Sequence, residues 1–348
     1  MTSNNGFPYT EVRFDRAGAP VDLQDVVRAR AVVRENQLTD VLILVHGWNN
    51  NMEVAGGLYS EILSSARPTL DGELKETLAG RRFGAVGVFW PSMRYTDPAL
   101  IPGGAASSDP TVGFGDDLNA ALEVFVDGPM HEAVQKLKDN LPTVEDKASL
   151  RQQFLDAVRQ HLPSIDDPEV PIRSEHLKNL SRGEERLSVN LEPSLLADGR
   201  AASSIFSGAI NTVRNLLNLT TYYEMKNRAG LIGGSGAIGL LHDLKLENPD
   251  LKVHLIGHSF GGRLVSAMAR GNEKEPPLPV NSLHLLQAAF SHCGFGEAVD
   301  PAPEGYFRPV LTQHRVSGPI PDTDSKCTCR SVAGTAVQTW SMVAAGVA

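Results

Sequence analysis

Four stretches of this chain are nearly uninterrupted apolar runs rich in β-branched residues, and they frame everything between them. Val41-Leu42-Ile43-Leu44-Val45, Ala85-Val86-Gly87-Val88-Phe89-Trp90, the charge-free run that begins at Val253, and the segment 280–289 all read as strands. A strand that is apolar at every position has both faces buried, the habit of a parallel sheet covered by helices on each side. Residues 9–15 alternate polar and apolar positions instead, and predict a half-exposed edge strand. Helical spacing appears between the strands, over 23–35, at Val54, Leu58, Ile62 and Leu63, and over 205–226, 237–246 and 263–270. Strand, helix and strand in succession imply right-handed βαβ units and an α/β fold with a mostly parallel sheet.

The strand pattern vanishes between about 97 and 204. Helical patterns replace it, over 118–126, 131–137 and 147–161, separated by polar, proline-marked segments such as 103–110 and 164–168. This predicts a helical insertion, a cap, within one domain spanning 1–320. A further segment, 230–239, places Gly234, Gly236 and Gly239 in a G-x-G-x-x-G spacing. It follows a helix rather than a strand, so a dinucleotide site is disfavoured and a flexible turn into the next helix is expected.

Composition narrows the function classes. The 348-residue chain carries a net charge of −9 and a pI near 5.6, which argues against nucleic acid or an anionic membrane surface as partner. The first residues lack the basic and apolar regions of a signal peptide, and no run is long enough to span a bilayer. Cys293, Cys327 and Cys329 are too few and too clustered for a secreted disulfide framework, so a cytoplasmic setting is expected. The Cys327-x-Cys329 spacing does not suit zinc, and neither a metal nor a cofactor is expected.

The chemistry concentrates where the third apolar run ends, in Gly257-His258-Ser259-Phe260-Gly261-Gly262. A G-x-S-x-G turn between a strand and a helix is the setting of a nucleophile elbow. The serine there occupies a strained backbone, and its neighbours must lack side chains to let strand and helix approach. Ser259 is therefore the candidate nucleophile. The tetrahedral intermediate of acyl transfer needs two fixed donors, and the backbone amides of Phe260 and Trp48 are the candidates. Trp48 belongs to the polar loop His46-Gly47-Trp48-Asn49-Asn50-Asn51 after the first apolar run. His46 is expected to shape this loop rather than move protons, and His258 to point away from the serine hydroxyl.

The strand and loop through His46-Gly47-Trp48-Asn49-Asn50, the strand end Phe89-Trp90-Pro91-Ser92 and the Gly257 to Gly262 elbow together resemble the α/β-hydrolase superfamily. Within it the chain is similar to a bacterial group of largely uncharacterised serine hydrolases. The resemblance covers about 9–320 apart from the insertion. It implies a mostly parallel sheet of about eight strands wrapped by helices, and a serine, acid, histidine triad in that chain order.

The tail departs from this pattern. After Ile320 the chain reads Pro321-Asp322-Thr323-Asp324-Ser325-Lys326-Cys327, without the apolar run of a buried strand, and no histidine follows His314. Asp322 and Asp324 stand near where the resemblance places the acid, and His314 or His292 would have to be the base. An altered or truncated C-terminus, a base drawn from elsewhere and a vestigial serine remain the three explanations, and 321–348 is expected to be irregular. The expected activity is hydrolysis of an ester or similar small acyl substrate through an acyl-enzyme on Ser259. A catalytically silent binding or scaffold protein on the same fold is the alternative.

Overall fold

In the computed structural model the described residues are 2–48, 50–92, 113–144, 147–162, 209–272, 278–290, 292–298 and 304–323. The loop expected at 103–110, Asp324 and the tail beyond it lie outside them. The chain divides into two compact units, Met1–Met93 with Met225–Ala348, and Arg94–Glu224.

The first unit is built on a seven-stranded sheet. Its strands are β1 (Thr2–Asn4), β2 (Phe7–Arg13), β3 (Asp40–Val45), β4 (Phe83–Phe89), β5 (Lys252–His258), β6 (Ser282–Leu286) and β7 (Asp322–Thr323), in the order β1-β2-β4-β3-β5-β6-β7. Only β1, turned back on β2 through Asn5 and Gly6, runs antiparallel. The alternating strand near the N-terminus is thus not the edge, because β1 covers it. The four apolar runs form β3, β4, β5 and β6, and β3 is buried at all six positions.

Two departures from the sequence reading have physical reasons. Pro321 does not prevent a late strand. It stands just before β7 and supplies a carbonyl to Leu285 N (2.9 Å), a role that needs no proline N–H. The glycine-rich segment is not a flexible turn. Helix α6 (Ala209–Ile232) passes through a π-helical turn, Gly233–Ala237, directly into α7 (Ile238–Glu247). A Cβ at Gly233 would lie 2.3 Å from Leu264 O, and one at Gly236 would lie 1.7 Å from Gly18 O. These glycines permit backbone contact rather than flexibility. Gly236→Ala is expected to lower stability by about 1–3 kcal/mol or more, because neither backbone can yield as a side chain would. An unchanged urea midpoint would refute this.

Helices cover both faces. Helix α1 (Leu23–Glu35) begins at Asp22, whose side chain accepts from Gln24 N, and buries Ala29, Val32 and Val33. Helix α8 (Phe260–Arg270) follows β5 and ends at Gly271 with φ 69°. On the opposite face lies α2 (Met52–Asp71), capped by Asn51 through Val54 N (2.8 Å). Its buried seam is Ala55, Tyr59, Ile62, Leu63, Ala66 and Leu70, packed against Leu42, Leu44, Ala85 and Ile256. Val54, expected on that seam, is exposed, because the seam runs through Ala55 and Tyr59 one position further on.

At the end of the sheet where the strands begin, a buried polar row joins three strands. His254 Nε2 meets Asp40 Oδ1 at 3.0 Å, His254 Nδ1 meets Ser282 Oγ at 2.8 Å, and His284 Nε2 meets the same Ser282 Oγ at 2.9 Å. Arg81 pairs with Asp40, its Nε 2.9 Å from Oδ2. Burial pushes the Asp40 carboxyl up, and hydrogen bonds from His254, Arg81 and Thr39 outweigh it, leaving it at about 2.

The second unit contains α3 (Phe114–Val124), α4 (Gly128–Asp139), α5 (Ala148–His161) and most of α6. Leu118, Ala121, Val134, Leu137, Phe154 and Val158 are buried in it. Arg214 and Asp117 form a largely buried ion pair at 2.6 Å. Among the described residues, no helix is long and apolar enough to cross a membrane.

Candidate active site

Strand order determines where a site can form. Strands β4 and β5 flank β3 on opposite sides, and the connections leaving β3 and β5 run to helices on opposite faces, α2 and α8, so they diverge and open a crevice at the C-terminal ends of the two strands. Ser259, the residue after β5, and the His46–Asn51 loop after β3 both lie at that crevice.

Ser259 adopts φ 55° and ψ −119°, a conformation that side-chain-bearing residues avoid and that is held only where the surroundings impose it. The glycines around it make the turn possible. A Cβ on Gly257 would lie 2.3 Å from Gly261 O, and one on Gly261 would lie 2.3 Å from Val45 O. The half-buried Ser259 side chain makes no capping hydrogen bond. Phe260 opens α8, and amides of a first helical turn point toward an anion placed at the helix start.

The loop after β3 approaches the nucleophile closely. A Cβ on Gly47 would lie 2.8 Å from Ser259 Cβ, so only glycine fits there. Trp48 follows it, with its ring 5.7 Å from that of Phe260. The loop is anchored beneath. His46 is buried and stacks on Trp90 with ring centroids 5.7 Å apart. Trp90 N donates to His46 Nε2 (3.2 Å), which leaves the ring proton on Nδ1, 2.9 Å from the Gly47 carbonyl it serves. Burial pushes the His46 pKa down to about 4 against that bond, so the ring is neutral at pH 7. Tyr59 accepts from His46 N (2.9 Å) and donates to Val88 O, tying α2, β3 and β4 together. This role of Tyr59 has no mark in the sequence apart from Gly87 on β4, where a Cβ would lie 2.3 Å from Tyr9 Oη and 2.9 Å from the Tyr59 ring.

Strand β6 completes the setting. Ser259 N donates to Leu286 O (2.9 Å), and Ala289 N donates to Ser259 O (3.0 Å). His258 lies beside the nucleophile. Burial lowers its pKa, and a hydrogen bond with the Gln287 side chain opposes the shift.

The remaining candidates separate. His314 is exposed and precedes Arg315, whose carbonyl accepts from Val280 N (3.1 Å) at the start of β6. From Val280 to Leu286 is about 20 Å of extended strand. His314 therefore stands at the opposite end of the sheet from Ser259 and is corrected from candidate base to surface residue. Asp322 lies on β7, paired with Leu285 at the crevice end of β6, two strand spacings or roughly 10 Å from β5. Asp324 lies outside the described residues. His292 opens a short 3-10 turn, His292–Phe295, three residues after Ala289. Among the described residues, no group of three metal-binding side chains occurs.

Comparison of the chain with protein-family models, with curated proteins and with solved structures finds no match.

Proposed function

We propose that this chain is a serine hydrolase of the α/β-hydrolase type. Its reaction, on this reading, is the hydrolysis of an ester or closely related small acyl substrate. The observation that carries the proposal is Ser259 itself, a serine at φ 55° between a strand and a helix, facing a loop that closes to within a glycine's clearance of it. A strained conformation that a run of glycines and three backbone hydrogen bonds sustain fits a site where the hydroxyl must be presented.

Ser259 Oγ attacks the acyl carbon while a base takes its proton. The amides of Phe260 and Trp48 receive the developing oxyanion, the C–O bond breaks, and the alcohol departs with the proton. Water then attacks the acyl-enzyme, releasing the acid and restoring Ser259. An ester is the less demanding substrate, because its carbonyl is less resonance-stabilised than an amide's and an alkoxide leaves more readily than an amide anion. The aromatic pair Trp48 and Phe260 suits an apolar acyl group.

One observation favours a second reading, a binding protein with an unused serine. Among the described side chains, none hydrogen-bonds Ser259 Oγ as a base would. A fluorophosphonate probe separates the two. Labelling of the wild-type protein that disappears in Ser259→Ala is the expected result. Folded wild-type protein that takes up no label would end the hydrolase reading and leave the binding one.

A further inference from the structure

The turn that ends β6 wraps the elbow more closely than strand pairing requires. Leu286 O accepts from Ser259 N at 2.9 Å and Ala289 N donates to Ser259 O at 3.0 Å, so both backbone polar groups of the nucleophile are held by one four-residue segment. Between these two residues, Gln287 adopts φ 49°, and this left-handed step brings the chain back toward the serine carbonyl. Ala288 then lies so close to α8 that a Cβ on Gly262 would meet Ala288 Cβ at 2.6 Å. Gln287 is itself anchored from outside, its amide donating to Thr323 O at 3.0 Å. Glutamine rarely takes a left-handed conformation. Here it is exposed, and its side chain hydrogen-bonds only His258 among the described residues, a contact that the glycine variant below removes while keeping the turn.

We propose that Gln287 is a positioning residue for Ser259, and that its left-handed turn clamps the nucleophile in its strained conformation. The proposal rests on the hydrolase reading of Ser259. The clamp acts through the backbone. Without the turn, Ala289 N would not reach the Ser259 carbonyl, and the elbow would lose one of its three backbone bonds, keeping those to Leu286 O and from Gly262 N of its own helix. The hydroxyl would then leave the position that the Gly47 loop is shaped to face.

The test is a graded series at one position, Gln287→Asn, Gln287→Gly, Gln287→Ala and Gln287→Val. Asparagine and glycine tolerate positive φ, alanine does so poorly, and valine resists it most. The readouts are the rate constant of fluorophosphonate labelling and, separately, kcat and KM for a p-nitrophenyl ester, with labelling amplitude reporting the folded fraction. Gln287→Asn and Gln287→Gly are expected to stay within about threefold of wild type, while Gln287→Val loses about tenfold or more in labelling rate constant and kcat with KM little changed. A purely structural role would lower amplitude and leave the rate constant alone, which would overturn the proposal. A fall in Gln287→Asn as deep as in Gln287→Val would also overturn it. Should the valine variant not fold, the order of Asn above Ala decides the matter in the same way. A wild-type protein that never labels removes the hydrolase reading and this proposal together, whereas a labelled wild type with a flat series removes this proposal alone.

Discussion

Ser259→Ala is expected to cut turnover of a short p-nitrophenyl ester by about a thousandfold or more, with the fold and the thermal midpoint nearly unchanged. The size of the effect follows from the covalent route. Without the hydroxyl no acyl-enzyme forms, and the remaining amides can only polarise a carbonyl for attack by bulk water. Stability should hardly move, because Ser259 makes no capping bond through its side chain, and its backbone bonds to Leu286 and Ala289 survive the change. Replacing Gly47 by alanine is a useful companion. Its Cβ would lie 2.8 Å from Ser259 Cβ, so it should impair turnover while leaving the hydroxyl in place. Turnover in Ser259→Ala equal to that of wild type would mean that the ester is cleaved elsewhere or not by this protein.

Much of this arrangement was readable in advance, because steric demands leave marks in sequence. Glycine is required at 257 and 261 because a Cβ there would lie 2.3 Å from a neighbouring backbone oxygen, and a G-x-S-x-G spacing records that requirement directly. The run from Val41 to Val45 lies on a strand buried on both faces, and its apolar monotony says so. Other features leave ambiguous marks. Gly233 and Gly236 serve close packing, yet glycine in a sequence shows that a side chain is unwanted and not what would strike it. The partners, Leu264 and Gly18, are far away in the chain. The same holds for polar residues within strands. His254 looks like an interruption of an apolar run until Asp40 and Ser282, 214 and 28 positions away, are placed beside it. His314 is the converse case. Its place late in the chain suggested a base, while the bridge between Val280 and Val316 places it at the end of the sheet remote from Ser259.

Acid is expected to unfold this protein steeply, beginning near pH 6.5, well above the range in which carboxylates alone titrate. Burial holds two histidines neutral, His46 at a pKa of about 4 and His284 at about 3, the second lowered further by its neighbour His254. Their pKa values in the unfolded chain are about 6.5. Both shifts are downward, so the unfolded chain binds protons first, and the stabilisation is complete only above pH 6.5. Each histidine then costs about 1.4 kcal/mol for every pH unit below that value, until the pH passes its folded pKa. For His46 the loss amounts to about 3 kcal/mol by pH 4, a large share of a total stability of order 5–15 kcal/mol. Asp40 adds to the loss only later, between its ordinary value of 3.8 and its folded value of about 2. Urea unfolding at a series of pH values between 7.5 and 4.5 reads the slope. His284→Leu should flatten it by about 1.4 kcal/mol per pH unit. Its stability at pH 7.5 should fall by only about 1 kcal/mol, because the bond from His284 Nε2 to Ser282 Oγ is lost while Ser282 keeps its bond to His254 and His284 Nδ1 has no partner to lose. An equal slope in the variant would show that His284 is not held neutral by burial, and that the acid sensitivity arises at the other buried histidines, His46 and His258 among them.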